Sequence, residues 1–564
     1  MGRAPEAATD GRPELAEGYY LDNFEAVLHT VAQRYDDLLD DDELRFYNAF
    51  RGMDEGARRL YVRLISRKGP CFRCDRLHYP EIDDLDDAQD ALLRAGLADR
   101  GEGADTAEWL QLLLRPELDD LARDFGHSPA GTRKGELIAL LVDGVAEASL
   151  RSAIESRFEV LQPLGHGELL TFRLLFFGNL SQDWTEFVLR DLGVVRYENY
   201  PLLRKLRLFE TREAIDQQLY LRRVRDEVDL CLHHGDIDRA VDLATAVHGR
   251  TAQDSAWTWV DSSKRLVHQI LVRVGRAQER RGEVDACLEL YAAARVPPAR
   301  ERRVRVLERA GRLDEALELC RTIASAPWDE GEVTFAPRTL HRLRRALGEP
   351  LGPWRRPKRP RTEKVLERRV ELSVERQALE ALALEGREGF FAENWLWKSL
   401  FGLAFWDIVF APLPGAFQHP FQFGPLDLHS STFRRQRQAL VDGRLDALRH
   451  HTDLTTWLLG RFDEKYGTAN AFVAWFPGAR DALGAALQRV DGERLAAVCD
   501  RLSRDPGRYR RGFPDLFVLS DDAPGFELLE VKAEGDQIRP EQGGWIDYLN
   551  AHGLPTSVLR IRWA

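Results

Sequence analysis

Two apolar runs near the carboxyl end, separated by a turn-forming segment, constrain the fold of this chain more than any other feature. The first run follows Asp515, the second carries Glu530, and residues 520–525 between them read Ser-Asp-Asp-Ala-Pro-Gly. Such a pattern predicts a β-hairpin. If Leu519 faces Phe526, the same register places Asp515 opposite Glu530. Directly opposed residues have Cβ atoms roughly 4.5–5.5 Å apart, so two carboxylates would converge on one point.

The converging carboxylates predict a metal site. Side chains alternate along a strand, so Glu530 and Lys532 share one face while Val531 points into the core. A hard divalent ion held by oxygen ligands activates water and stabilises the charge that develops on a phosphate. The chain holds only nine Lys against 71 Arg, which makes a Lys at this position harder to ascribe to chance. A solvated charge pair on an exposed strand is the alternative.

Residues 541–553 follow the hairpin and predict an amphipathic helix that ends at a glycine. Gln542, Trp545 and Leu549 lie on this helix. The hairpin and the helix together resemble the VRR-NUC branch of the PD-(D/E)xK nucleases. The resemblance implies that the chain ends in an α/β nuclease domain.

A second resemblance, to the Fanconi-associated nucleases, extends upstream of the hairpin. Residues 393–410 look like the helix that supplies one more metal-binding Glu in that family, which is Glu393 here. Further positions that match are Phe421, Gln422, residues 425–428, Phe433, Arg437 and, nearer the amino terminus, residues 19–24 and 63–70. The likeness covers nearly the whole chain, and the heavy use of Arg suggests a bacterial member. Without the family, Glu393 reads equally well as the residue that starts a helix.

The resemblance to the Fanconi-associated nucleases implies a full set of site roles and an activity. The metal, Mg²⁺ or Mn²⁺, would be held by Glu393, Asp515, Glu530 and the carbonyl of Val531. Lys532 would orient or activate the attacking water, and Gln542 would support the site. The implied activity is structure-specific cutting of 5′ flaps and other branched DNA, in the repair of interstrand crosslinks. The alternatives are a junction resolvase, disfavoured by the extra helical domains, and a non-catalytic DNA-binding scaffold, disfavoured by the intact carboxylates and Lys.

The length of 564 residues predicts three or four domains. We expect a multidomain, mostly α-helical protein with a carboxyl-terminal α/β nuclease domain of the PD-(D/E)xK type. Its predicted parts are a helical region at 1–104, a SAP-like DNA-binding module at 105–165, TPR-like helical repeats at 166–365 and the VRR-NUC nuclease domain at 366–564.

The SAP-like module rests on two short predicted helices joined by the glycine-containing turn at 126–131. In SAP modules the start of the second helix faces DNA phosphates, which the free N–H groups and the positive dipole end of a helix favour. Arg133 and Lys134 stand at that start and are candidate DNA contacts. A plain helical hairpin is the alternative.

The repeat region shows one pattern three times, with Gly235, Gly282 and Gly311 in matching places. Their spacings of 47 and 29 residues predict irregular, TPR-like helical pairs. Two basic clusters are further candidates for DNA contact: Arg204, Lys205 and Arg207, and then Arg355 and Arg356 in a proline-containing linker. For the linker, a solvated hinge is an equally good reading.

The net charge of −12 excludes a uniformly basic coat, so DNA binding has to rely on local patches. Six scattered Cys fit a reducing compartment, and the one close pair, Cys71 and Cys74, lacks the second pair that a structural zinc site needs. The start of the chain has no apolar signal core, and Lys398 and Asp407 interrupt the most apolar stretch. We therefore expect a cytoplasmic protein, associated with the nucleoid when it acts on DNA and without a membrane partner.

Overall fold

The structure, a computed structural model, describes residues 18–180, 182, 187, 195–253, 261–354, 358–430, 432–521 and 525–564, without the side chains of residues 252, 253 and 261. The chain divides into two compact units, residues 1–194 and 195–564. Both are built mainly from helices, and the second also contains a five-stranded sheet. The prediction of a mostly helical protein with a carboxyl-terminal α/β domain is therefore confirmed.

The amino-terminal unit is a helical body with one small sheet. Its helices are α1 Tyr19–Tyr35, α2 Asp41–Gly52, α3 Glu55–Ile65, α4 Leu85–Arg94, α5 Thr106–Gln111, α6 Arg115–Asp124, α7 Lys134–Gly144, α8 Glu147–Glu155 and α9 His166–Phe177. The strands β1 Phe72–Arg73, β2 Ala98–Asp99 and β3 Val160–Pro163 pair antiparallel in the order β1-β3-β2. Phe24, Phe50, Tyr61 and Phe172 belong to an aromatic core that α1, α2, α3 and α9 bury.

Both helices predicted for the SAP-like module are present. Helix α6 has Pro116 in its first turn, where a missing N–H costs no hydrogen bond. Gly126 and Gly131 adopt left-handed φ angles of 80° and 76° in the turn. Leu118 of α6 and Leu137 of α7 are buried in one core. The helical hairpin is confirmed, and its SAP identity stays a prediction.

The carboxyl-terminal unit begins with a row of helices in which each packs on the next. Its members are α10 Arg212–His234, α11 Ile237–Gln253, α12 Asp261–Arg281, α13 Val284–Ala293, α14 Ala299–Arg309, α15 Leu313–Ser325 and α16 Glu330–Ala346. Gly235, Gly282 and Gly311 follow α10, α12 and α14 with φ angles of 80°, 90° and 75°, which glycine adopts at a helix end without steric cost. The predicted helical pairs are present, and their TPR class stays a prediction.

The five-stranded sheet lies at the carboxyl end of this unit. Its strands are β4 Arg361–Leu366, β5 Gly389–Phe391, β6 Leu516–Leu519, β7 Phe526–Lys532 and β8 Thr556–Trp563, in the order β4-β8-β7-β6-β5. Strands β6 and β7 form the predicted antiparallel hairpin, and Leu519 faces Phe526 as predicted. Strands β4 and β7 both run parallel to β8. The four predicted domain limits stay predictions.

Helices cover both faces of the sheet. They are α17 Val374–Leu384, α18 Leu396–Ala404, α19 Trp406–Val409, α20 Thr432–Gln436, α21 Gln438–His450, α22 Leu454–Lys465, α23 Ala479–Leu487, α24 Gly492–Arg504, α25 Pro506–Tyr509 and α26 Pro540–Ala551. Helix α17 packs on the face that carries Leu516 and Val531, and the other face joins a larger core with α18, α19, α24 and α26. The single helix predicted over 393–410 is wrong, because the chain forms α18 and α19, which meet at Phe405 (φ −108°).

The apolar stretch that contains α18 and α19 is buried, as its composition indicates. No helix in the described ranges is long and apolar enough to cross a membrane. All six Cys are free thiols.

Candidate active site

Asp515 stands immediately before β6, and the backbone fixes its position on two sides. Its Oδ2 accepts the N–H of Val531 (2.7 Å), and its carbonyl accepts the N–H groups of Ala392 (2.8 Å) and Glu393 (3.2 Å). The residue is only 6% exposed. Asp515 therefore joins the hairpin to the segment that carries Glu393.

Glu530 lies across the hairpin from Asp515, because the observed pairing of Leu516 with Leu529 extends to these two residues in the same register. It is 0% exposed. The Lys532 ammonium lies 2.5 Å from one of its oxygens, yet neither oxygen accepts a well-directed hydrogen bond from a described residue. A buried carboxylate in this state is costly unless a ligand completes its contacts.

The two buried carboxylates repel each other. Burial, followed by the charge of Glu530, raises the pKa of Asp515 to about 8, while the Val531 N–H opposes the rise. Burial also raises the pKa of Glu530, against the opposite effect of Lys532, and the charge of Glu393 raises it further. A divalent cation between these groups would favour their charged forms and relieve the repulsion.

Asp515 gives the metal-free protein a stability that depends on pH. Its pKa of about 8 in the folded chain lies above the ordinary value of 3.8, so folding strengthens proton binding. The resulting stabilisation is complete below about pH 4 and is lost as the pH rises through about 8. We expect the free energy of unfolding, measured by urea denaturation with a chelator, to fall over this range. Asp515→Asn should flatten the slope, and an unchanged slope would contradict the raised pKa.

Glu393 lies between β5 and α18, outside the helix. The N-cap residue of α18 is Trp395, and no side chain caps the helix, so the reading of Glu393 as a helix-start residue is wrong. Its side chain is exposed, and its charge acts on both Asp515 and Glu530. Within the described ranges, no three His, Cys, Asp or Glu side chains already surround one point. Glu393 would therefore have to turn toward the two buried carboxylates to complete a metal shell.

Asn394 is a feature of the site that sequence reasoning missed. Its φ of 61° makes it the one non-glycine residue with positive φ among those described. This left-handed conformation costs an ordinary L-residue roughly 1–2 kcal/mol, although Asn tolerates it better than most. Because Asn394 directly follows Glu393, it sets the direction of the chain between the Asp515 carbonyl and α18.

Asn394→Ala and Asn394→Gly should separate backbone conformation from side-chain chemistry. Glycine adopts a positive φ freely and alanine does not, so we expect the Gly variant to retain metal binding and cutting. The Ala variant should bind Mn²⁺ more weakly in calorimetric titration and lose about 1 kcal/mol of unfolding free energy. Equal behaviour of the two variants would mean that this backbone conformation does not position Glu393.

Gln542 lies in the first turn of α26 and caps that helix. Its Oε1 accepts the N–H of Arg539 (2.9 Å). The turn before Asp515 packs directly on this helix start. A Cβ added to Gly512 (φ 87°) would lie only 2.9 Å from the backbone nitrogen of Gln542. The helix start that Gln542 caps therefore packs on the turn before Asp515, and the supporting role of Gln542 in the site stays a prediction.

Two further charged groups act on the site and were not predicted. Glu375, at the start of α17, adds its negative charge to the surroundings of Glu530. Burial and the charge of Arg510 lower the pKa of Lys398 on α18, while the charge of Glu393 opposes the shift, so Lys398 and Glu393 act on each other. These groups come from separate elements, so no local pattern could indicate them.

Arg133 and Lys134, the candidates in the amino-terminal unit, have different surroundings. The Lys134 ammonium donates to the carbonyls of Gln111 (2.8 Å) and Leu113 (2.7 Å) at the end of α5, and burial lowers its pKa. Arg133 is exposed at the start of α7. Lys134 therefore makes a structural contact, and a DNA contact of the exposed Arg133 stays a prediction.

Alanine substitution of Arg133 should therefore change DNA binding, whereas alanine substitution of Lys134 should change protein stability. Arg133→Ala should lower the slope of log affinity against log salt by about 0.9 for every branched DNA, as for one lost phosphate contact. Lys134→Ala should instead lower the free energy of unfolding by about 1 kcal/mol, because two carbonyls lose their donor. An unchanged salt slope in Arg133→Ala would make α6 and α7 a plain helical hairpin.

The remaining basic candidates are only partly described. Arg204 and Lys205 are exposed on the short 3₁₀ helix Arg204–Leu206, and Arg207 donates to the Glu210 carbonyl (3.3 Å). Arg355 and Arg356 lie outside the described residues. A role in DNA contact stays a prediction for all five.

The mixed sheet, with Asp515 facing a Glu-x-Lys strand across its hairpin, defines a nuclease of the VRR-NUC class. The sequence model of the VRR-NUC domain matches residues 450–563, and that of the FAN1 HTH domain matches residues 18–99. The Fanconi-associated nuclease 1 homolog of Pseudomonas aeruginosa is 34% identical over 561 residues, which are 98% of this chain and 97% of that protein. The chain belongs to the Fanconi-associated nuclease family.

More distant relatives and solved structures agree with this membership. The Arabidopsis thaliana homolog is 26% identical over 98% of this chain and 67% of its own length. A crystal structure of paFAN1 bound to DNA with a 2-nucleotide 5′ flap and a gap is 33% identical, with a TM-score of 0.83, and covers 98% of this chain and 100% of that one. A second, with a 1-nucleotide flap, has a TM-score of 0.80 at 33% identity and covers 97% and 99%.

Proposed function

We propose that this chain is a metal-dependent, structure-specific deoxyribonuclease that cuts 5′-flap and other branched DNA and serves interstrand-crosslink repair. The observation that carries the proposal is the buried pair of Asp515 and Glu530 with Lys532 beside it. Two carboxylates and an ammonium group suit metal-assisted hydrolysis of a phosphodiester. The flap DNA bound in both paFAN1 structures supports the choice of substrate. We place its action in the cytoplasm, on the nucleoid.

Mg²⁺ or Mn²⁺ fits the donors that this site offers. Asp515, Glu530, Glu393 and the Val531 carbonyl would hold the ion, and all of them bind through oxygen, which hard cations prefer. The fit rests on Glu530, whose buried oxygens lack well-directed hydrogen bonds within the described ranges. When bound, the ion supplies charge stabilisation at the phosphate and lowers the pKa of a water molecule.

The side chains of the protein orient the reactants. The Val531 N–H donates to Oδ2 of Asp515. This hydrogen bond fixes the orientation of the carboxyl group and leaves Oδ1 available for a metal ion. Lys532 carries three N–H donors and directs its ammonium at Glu530, so donors remain for an attacking water or a phosphate oxygen. Lys532 would therefore orient the water, and Gln542 would hold the Asp515 turn in place by capping α26.

Metal-dependent cutting of labelled flap, fork, four-way junction and duplex substrates tests this proposal. We expect the flap to be cut in preference to the others with Mg²⁺ or Mn²⁺, and no substrate to be cut after chelation. Preferential cutting of the junction would favour a resolvase. Binding without cutting by a folded protein would favour a DNA-binding scaffold.

A further inference from the structure

Four cations without a partner among the described residues line one cavity of the carboxyl-terminal unit. The cavity has a volume of about 670 Å³ and lies between α12, the turn before α14 and the start of α20. Its cations are Lys264, Arg265, Arg295 and Arg435, and the side chain of none of them is paired with another described residue. Nearby Arg300, Arg302 and Arg309 are by contrast all in ion pairs.

The cavity also holds two carboxylates, and both cap helix starts, where each accepts a backbone N–H and keeps its negative charge. Asp329 accepts the N–H of Glu332 (2.9 Å) and caps α16. Asp505 accepts the N–H of Arg508 (3.0 Å) and caps α25. Four cations against two carboxylates still leave the lining with a net positive charge, in a chain whose net charge is −12.

Two histidines also line the cavity, and one of them links it to the segment before Asp515. Burial and Arg295 lower the pKa of His268, and burial and Arg510 lower that of His429. The His429 Nε2 lies 3.2 Å from an Arg510 nitrogen. Because Arg510 belongs to the segment that leads into the Asp515 turn, the cavity borders that segment.

An aromatic ring stands at the same cavity in a fixed orientation. Trp328 is 40% exposed although it is a large apolar side chain. Its backbone N–H donates to Glu332 (2.6 Å), and the Arg300 guanidinium lies 3.9 Å from the centre of its ring. Arg300 also donates to Glu332 (3.0 Å), so the ring is held by a buried ion pair.

We propose that this cavity binds the unpaired strand of a flap substrate, with its phosphates on the four cations and a base stacked on Trp328. The inference rests on the proposed function and adds a second binding place to it. A cationic groove combined with an exposed aromatic ring is the way in which proteins hold single strands without sequence preference. The volume is that of an ordinary ligand pocket, roughly 300–1,000 Å³, which admits nucleotides of one strand but no duplex.

The test compares two DNAs that differ only in the flap. The combined variant Lys264→Ala, Arg265→Ala, Arg295→Ala and Arg435→Ala is titrated, with a chelator, against nicked duplex with and without a flap of about ten nucleotides. We expect flap affinity to fall at least about tenfold and its salt slope to drop by about 3, because single strands lose roughly 0.7 per phosphate contact. Affinity for the flapless duplex should stay within about twofold.

The matched control is Arg276→Ala with Arg280→Ala, which removes two exposed cations of the same helix α12 that lie outside the cavity. It should leave flap affinity unchanged, and melting temperatures confirm that every variant is folded. Equal losses on both DNAs would assign the four cations to duplex binding and overturn the proposal. An unchanged flap affinity would overturn it as well.

Trp328 is tested separately with a conservative partner. Trp328→Ala should weaken flap binding by about fivefold or more, and Trp328→Phe should retain most of it, because stacking needs a ring and not an indole. Equal flap affinity of the Ala and Phe variants would show that the ring of residue 328 does not bind the flap. Cutting of the same flap by the unmodified protein is measured in parallel, so that flap binding without any cutting would refute the nuclease proposal and leave this one intact.

Discussion

Asp515→Asn is expected to abolish the cutting of flap DNA, with a rate loss on the order of 10³-fold or more. Asn keeps the size of the side chain and an oxygen for the Val531 N–H, which lies 2.7 Å from Oδ2 in the unmodified protein. It removes the negative charge that a divalent ion needs. Because the buried, metal-free Asp515 is mostly protonated below its pKa of about 8, the variant should match the stability of the unmodified chain below about pH 4 and exceed it at higher pH.

The DNA affinity of Asp515→Asn should stay within about threefold of the unmodified protein, because phosphate contacts away from the reaction centre carry most of the binding. Asp521→Asn is the matched control, since it changes an exposed carboxylate in the turn of the same hairpin. It should cut at the unmodified rate. Cutting at that rate by Asp515→Asn would refute the assignment of this site.

The hairpin could be predicted from the sequence because its determinants are local. Two apolar runs and a turn of Ser, Asp, Pro and Gly residues specify one pairing, and the register of Leu519 with Phe526 then brings Asp515 to Glu530. The helix ends at Gly235, Gly282 and Gly311 follow from the same kind of signal, since only glycine adopts their backbone conformation without cost. Local signals in the sequence are therefore sufficient to predict that the two carboxylates face each other.

The features that the sequence did not reveal depend on contacts between distant segments. The Asp515 carbonyl holds the backbone before Asn394, and an Asn, although it tolerates a left-handed φ, does not by itself predict this long-range contact. Lys134 reads as a DNA contact at a helix start, but the carbonyls of Gln111 and Leu113 bind its ammonium. The cavity lined by four cations is another case, since these residues come from three elements that are separate in the sequence. Secondary-structure propensity and hydrophobic periodicity contain no information about such long-range contacts.

Glu393→Gln is expected to reduce flap cutting on the order of 10²-fold, with partial recovery at high Mn²⁺, because the shell of the metal loses one charged oxygen ligand. Thermal stability should stay unchanged. The helix that follows has Trp395 as its N-cap residue and no side-chain cap, so the substitution removes no helix contact. Glu388→Gln is the control, because Glu388 is exposed at the other end of β5.

Two kinds of measurement distinguish a metal-binding Glu393 from a structural one: activity and the pKa values of the buried carboxyl groups on one side, and the free energy of unfolding on the other. The charge of Glu393 already acts on both buried carboxylates, so neutralising it should lower their pKa values at the same time as it weakens the metal shell. The pKa values of the two buried carboxyl groups, measured by pH titration of the metal-free variant, therefore give a second test that does not depend on cutting. If activity persists while the unfolding free energy falls by about 1 kcal/mol, as for one lost polar contact, Glu393 is structural and the hairpin alone holds the metal.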